Sequence, residues 1–187
     1  MKKIMMIMFA LVCTMTASAQ FQLTKKGILT EDGNDYYVVE FQGKTAEQIY
    51  KSAMDYLMAN YTDPKKGITE QPNSMITIKI ICGDRCFYDT FMGARFYYVL
   101  NMNLVLRFKD GKMRIDAPSL ISAINEAGIK FSFGANGSDD FDYEKVFFNK
   151  KGKKNEKAFN SFSIYLNSLV PQIIDGIKNV KKVNDNW

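Results

Sequence analysis

Two cysteines stand close together in this chain, in the stretch Ile81-Cys82-Gly83-Asp84-Arg85-Cys86. Thiols at such spacing serve metal binding, redox exchange or a structural bridge. A zinc site needs about four ligands. The chain contains no histidine, so this pair cannot complete a zinc site without a second chain. Thioredoxin-type redox pairs use C-x-x-C, and this spacing has one residue more. In an oxidising compartment the default is a disulfide between Cys82 and Cys86. A straight strand would hold the two Cα atoms about 13 Å apart, whereas a bridge needs less than about 7 Å. The disulfide therefore requires a turn at Gly83-Asp84-Arg85, and Gly-Asp is turn chemistry. Two free thiols and a functional pair are the alternatives.

The remaining candidates for chemistry are charged. Asn136, Ser138, Asp140, Asp142 and Glu144 alternate along one segment and offer oxygen ligands suited to Ca²⁺. They lack the glycine and the closing glutamate of an EF-hand loop, so the ordinary reading is a solvated acidic loop. The 139–144 carboxylates could also serve a hydrolase of glycosidase type, although nothing in the sequence fixes their separation. Lys150, Lys151, Lys153, Lys154 and Lys157 form a basic run, read as a solvated helix entry, with a polyanionic surface glycan or a lipid headgroup as the functional alternative. With the commonest general base absent and no catalytic constellation evident, the sequence reads as non-enzymatic, with no metal and no cofactor.

The compartment is written in the first twenty residues. Lys2 and Lys3 precede the apolar run Ile4–Val12, and Ala17-Ser18-Ala19 is a small-residue cleavage signature. This pattern predicts a secretory signal peptide over 1–19 and a periplasmic or secreted chain over 20–187. An uncleaved N-terminal anchor is the alternative. The third cysteine, Cys13, lies inside the leader behind Val12, where a lipoprotein signal would need a small residue. Losing Lys2 and Lys3 lowers the formal charge from +5 to +3. No later apolar stretch has the length of a membrane-spanning helix.

The elements that must position these residues follow from periodicity. Tyr36–Phe41 reads as a strand. Thr45-Ala46-Glu47-Gln48 is a capping box opening a helix whose apolar face is Ile49, Tyr50, Ala53, Met54, Leu57, Met58 and Tyr61. Met75–Cys82 and Arg95–Lys109 alternate as strands. Asp110-Gly111 then signals a two-residue hairpin into Lys112–Ala117. That turn pairs Phe108 with Met113 and Leu106 with Ile115, apolar to apolar. Beyond Pro118 the expectation is a short helix over 119–127. Possible short strands follow at Phe131–Phe133 and Lys145–Phe148, at least one of them paired. The last helix spans 156–179, with an apolar stripe from Phe159 to Ile177 and a kink or break near Asn167 caused by Pro171.

The fold class is α+β: an antiparallel sheet with two main helices on one face, in a single domain. Tyr36–Leu57 (YYVVEFQGKTAEQIYKSAMDYL) and Leu106–Ala117 (LRFKDGKMRIDA) resemble an exported bacterial family of unknown function with a TATA-box-binding-protein-like (TBP-like) fold. The resemblance covers residues 34–118. It implies a curved sheet with the helices on one side, and it carries over no catalytic residues. Residues 119–155 form an irregular excursion outside it.

The hairpin register sets Arg107 directly opposite Arg114 on the face away from the helices. Opposed like charges destabilise an antiparallel pair. One answer is local pairing, with Asp116 diagonal to Arg107 and Glu40 available from the first strand. The other is a recognition patch of Arg107 and Arg114 with Tyr97, Asn101 and Asn103, for an anionic or sugar-bearing partner. The leading expectation is thus an exported binding module for a protein, a glycan or an anionic surface, using the open sheet face or edge. Export argues against nucleic acid. An apolar-ligand carrier with a cavity under the C-terminal helix is the second expectation, and a hydrolase is the third. If the leader is as read, the intact mass of exported protein places its first residue at Gln20; a start at Met1 would overturn the compartment reading.

Overall fold

The computed structural model describes residues 21–132, 146–148 and 151–180. The leader 1–19, the acidic segment 136–144 and Lys150 lie outside the described residues. Elements run β1 (Phe21–Thr24), β2 (Gly27–Thr30), β3 (Tyr36–Glu40), α1 (Ala46–Asn60), α2 (Pro64–Gly67), β4 (Ile68–Gln71), β5 (Met75–Phe91), β6 (Ala94–Lys109), β7 (Lys112–Asp116), β8 (Ser119–Ile124), β9 (Lys130–Ser132) and α3 (Glu156–Lys178). Every strand pairing among the described residues is antiparallel.

A seven-stranded sheet is built around β6. β5 pairs along one edge of β6, and β7 and β8 follow one another along its other edge. Between those two, Ala117-Pro118 interrupts what would be a single strand, because proline has no N–H for the ladder. β3 extends the sheet beyond β7, β9 beyond β8, and β4 beyond β5. The even-numbered residues of β6 from Leu100 to Phe108 are buried, as are Ile76, Ile78 and Ile80 of β5. Both long helices cover this face. α1 buries Ile49, Ala53 and Leu57, and α3 buries Ala158, Phe162, Leu166, Val170, Ile173, Ile174 and Ile177.

The Asp110-Gly111 hairpin has the expected register, including Arg107 opposite Arg114. Its turn also fastens the entry of α1. Gly111 donates to the Lys44 carbonyl at 2.8 Å and accepts from Phe41 at 2.7 Å, while the Asp110 carboxylate accepts from the Ala46 N–H at 2.8 Å. A carboxylate at a helix N-terminus meets unsatisfied N–H donors and the positive end of the helix dipole. The Thr45–Gln48 capping box is formed as expected.

Several expectations are corrected. Residues 119–127 do not form a helix; Ser119–Ile124 is strand β8, held by β6 on one side and β9 on the other. Pro171 does not divide α3, which is continuous over Glu156–Lys178. The strand expected at Tyr36 is preceded by an unforeseen hairpin, β1–β2. Phe21 of that hairpin is fully buried and donates its backbone N–H to the Asn167 side chain at 3.1 Å. Of the two short strands expected after Gly128, Phe131 pairs with Ala123, while Val146–Phe148 contributes a helical turn and an isolated bridge from Phe148 to Lys154.

The largest correction concerns the cysteines. Cys82 and Cys86 are both free and buried. The chain does not turn at Gly83-Asp84-Arg85. These three residues bulge out of β5 opposite Val99, while Cys82 pairs with Leu100 and Cys86 with Tyr98. The bulge keeps both thiols on the inner face, and the strand runs on to Phe91. Burial pushes the Cys82 thiol up to about 12, with the Asp84 carboxylate adding to the shift, and it raises Cys86 as well. Thiols held protonated in this way are poor nucleophiles and poor metal ligands.

The two long helices meet closely at Gly176, where a Cβ would collide with the Tyr56 ring. Gly176→Ala should therefore lower stability in urea unfolding by about 1–2 kcal/mol despite alanine's better helix propensity. In a Tyr56→Ala background the same substitution should instead stabilise by up to about 1 kcal/mol. Equal effects in both backgrounds would mean that the Tyr56 ring does not constrain the position.

Candidate functional site

The outer sheet face separates the candidate residues into two groups. Tyr97 and Arg107 lie ten positions apart on β6, about 33 Å along an extended strand. They cannot belong to one small-ligand site. Arg107 and Arg114 are brought together at the hairpin end. Asn101 is engaged locally, donating from its side-chain amide to the Ser122 hydroxyl at 3.0 Å. Asn103 lies in the middle of the face, between Lys79 of β5 and Ser119 of β8. Tyr97 belongs to the opposite end, where its backbone N–H and the Tyr88 hydroxyl both donate to the Glu126 carboxylate. Desolvation raises the Glu126 carboxyl, but these donors outweigh it and hold the group below its ordinary value.

At the hairpin end, Asp116 offsets the opposed arginines. Its two carboxylate oxygens accept from Arg107 Nε at 2.8 Å and from Arg114 Nε at 2.5 Å. The Arg114 guanidinium also lies 4.1 Å from the centre of the Tyr36 ring. Local pairing is thus present, as one of the two sequence readings required, and the arginines remain accessible. Their side chains are 51% and 41% exposed against 17% for Asp116. The carboxylate is the inner partner, and the guanidinium groups form the outer surface.

A second rung of like charge lies beside the first. Lys109 is directly opposite Lys112 across the same hairpin, on the same outer face as the arginines. The register that opposes the arginines implies this rung as well, although the sequence reading names only the arginines. Glu40 on β3 is in register with Lys112. Among the described residues, neither lysine has an ion-pair partner within 4.0 Å. All four cations line one depression of about 370 Å³, together with Val38 and Ser74. The lining contains no carboxylate, so the depression is suited to an anion.

The other end carries a larger open groove of about 1120 Å³ between α3 and the distal part of the β5–β6 hairpin. It is lined by charge of both signs, with Asp84, Arg85, Arg95 and Lys157 among the residues. Lys157, from the basic run, pairs with Asp89 at 2.9 Å, and Lys154 stacks on Phe159 at 4.2 Å. Among the described residues no group of three or more His, Cys, Asp or Glu side chains is placed to hold a metal ion. No helix among them is long and apolar enough to cross a membrane.

An antiparallel sheet with both long helices on one face defines an α+β domain of the TBP-like fold. The chain is similar in structure to a TBP-like protein from Parabacteroides distasonis, with a TM-score of 0.53 and 12% identity over 78% of this chain and 92% of that one. It is also similar to a DUF4468 family protein from Bacteroides ovatus, with a TM-score of 0.49 and 11% identity over 87% and 90% of the two chains. No protein-family profile matches the sequence, and no curated protein does. At 12% identity the first likeness establishes the fold alone, and neither neighbour carries a named activity.

If Asp116 is what makes the arginine rung tolerable, Asp116→Asn should cost about 1 kcal/mol in urea unfolding, discounted for the half-exposed arginines. Added salt should narrow the deficit by screening the unmasked repulsion. Adding Arg114→Met should recover part of the loss. A variant as stable as the wild type at low salt would show that the rung needs no offset.

Proposed function

We propose that this protein is an exported, non-enzymatic binding module whose contact surface is the outer sheet face at the β6–β7 hairpin, and that its ligand is an anionic glycan. The observation that carries this reading is the pair of adjacent like-charge rungs, Arg107/Arg114 and Lys109/Lys112, around one depression. Each directly opposed pair costs a few tenths of a kcal/mol or more. Among the described residues, only the arginine rung is offset by a carboxylate in contact with both partners. A stretch of hairpin that concentrates four cations at such a cost is suited to binding, because a carboxylate- or sulfate-bearing ligand would relieve the repulsion. Arginine forks match those groups geometrically, and the neighbouring lysines add charge without fixed direction.

The carrier reading has less support. Phe147, Phe162 and Leu166 are fully buried where α3 meets the sheet, and both of the depressions described above have charged side chains in their lining. The hydrolase reading rests on residues 139–144, which lie outside the described part.

The lysine rung gives the cleaner test, since removing the arginines would strand Asp116. Lys109→Gln with Lys112→Gln should weaken binding to a heparin oligosaccharide, used as a sulfated-glycan probe, by roughly tenfold, equivalent to about 1.4 kcal/mol. Thermal stability should hold or rise as the repulsion is removed. Unchanged affinity with lowered stability would make the rung structural and the reading wrong.

A further inference from the structure

The distal end of the β5–β6 hairpin presents a second surface with a different composition. Phe91 pairs with Ala94, so the connection is the two-residue turn Met92-Gly93. Both turn residues have positive φ, 48° for Met92 and 83° for Gly93, as a type I′ turn requires. Asparagine or glycine is the natural first residue of such a turn, and a bulky side chain there is a backbone outlier. Among the described residues Asn73 is the other non-glycine residue with positive φ, and asparagine tolerates that conformation.

Met92 is therefore disfavoured by its own backbone. Its side chain gains nothing from the core in return, being 92% exposed, and the adjacent Phe91 is 66% exposed. Strain at an exposed apolar residue points to a use for that side chain outside the chain itself. Behind the tip, Arg85, Arg95 and Lys157 line the adjoining groove, which reaches Gly93 and the exposed Ile164. Arg85 pairs with Asp84 at 3.1 Å and Lys157 with Asp89 at 2.9 Å, both at exposed side chains. Arg95 has no ion-pair partner within 4.0 Å among the described residues. Arg95 and Lys157 approach the Phe87 ring at 5.9 Å and 5.6 Å.

We propose that this tip docks on an anionic phospholipid surface. Phe91 and Met92 enter the boundary between headgroups and acyl chains, while Arg95 faces the phosphates directly and Arg85 and Lys157 reach them by exchanging their exposed carboxylate partners. Two observations favour lipid over a protein partner. The tip is the exposed turn of a two-stranded ribbon, and a lipid boundary accepts such an end without a complementary pocket. Cations set behind apolar side chains are the arrangement that interfacial anchors use. The contact is peripheral, and it is independent of the glycan-binding reading because it uses the opposite end of β6.

Met92→Asn separates binding from folding, since it installs the favoured Asn-Gly turn. The variant should melt at or above the wild-type temperature and bind vesicles of phosphatidylcholine with about 30% phosphatidylglycerol at least tenfold more weakly, in proteins matched at the N-terminus by intact mass. A site-specific reading comes from Phe91→Trp. The emission of the introduced indole, measured against the wild-type chain's own Trp187, should shift to the blue on those vesicles and be quenched by lipids brominated in the acyl chains. Wild-type protein that ignores the vesicles, a Met92→Asn variant that binds as well as wild type, or a Phe91→Trp variant whose added emission does not respond would each overturn the proposal. Equal binding to purely neutral vesicles would also overturn it, because it would leave the basic side chains no part.

Discussion

The whole molecule depends on one strand holding its alternation from Tyr98 to Phe108. β6 presents Tyr98, Leu100, Met102, Leu104, Leu106 and Phe108 inward without a break in phase, and all are buried. Slipping its register by one residue would send this entire row to the outer face. Both helices pack on that row or on its neighbours, and every other strand of the main sheet reaches the core through pairing with β6 or with one of its partners. Irregularities are placed elsewhere. The bulges fall on β5 and β8, and the proline break falls between β7 and β8. Each lets a partner strand adjust while β6 stays straight in phase.

The same alternation leaves the odd-numbered residues of β6 on the outer face, and their character changes along its length. One end is cationic and depressed, and the other is aromatic and leads to an apolar tip. The middle is made of Asn101 and Asn103, with Asn101 tied to Ser122. A single continuous strand therefore joins two chemically distinct surfaces at a fixed distance. Charge and exposure that would be liabilities in the interior are confined to the two ends of the ribbon.

Much of this is legible in the sequence, and the reasons differ by element. The β6–β7 register is readable because Asp110-Gly111 specifies a two-residue turn, and a turn of known length leaves one pairing that matches apolar with apolar. α1 is readable from its capping box, and α3 from its stripe. The run of β5 beyond Cys82 is not, since a three-residue bulge is decided by the partner strand and Gly83-Asp84 also suits a turn. The expected disulfide fails with it. Ser119–Ile124 carries Leu120, Ile121 and Ile124 at spacings that fit a helix; pairing on both edges overrides that local preference. The arginine rung follows from register alone. The separation of Tyr97 from that rung follows from the strand rise, a length that alternation patterns do not convey.

The covering of the inner face by α3 has a consequence for the order of events during synthesis. The described strands of the sheet all lie before residue 133, yet the side chains that close over β5 and over the N-terminal hairpin, from Ala158 to Ile177, come later in the sequence. Phe21, among the first described residues, finds its hydrogen-bond partner at Asn167. The body therefore cannot close around its core before α3 has emerged, and a ribosome that stops short of α3 releases a sheet with one apolar face bare. Such a product is a substrate for chaperones and proteases rather than a smaller folded domain.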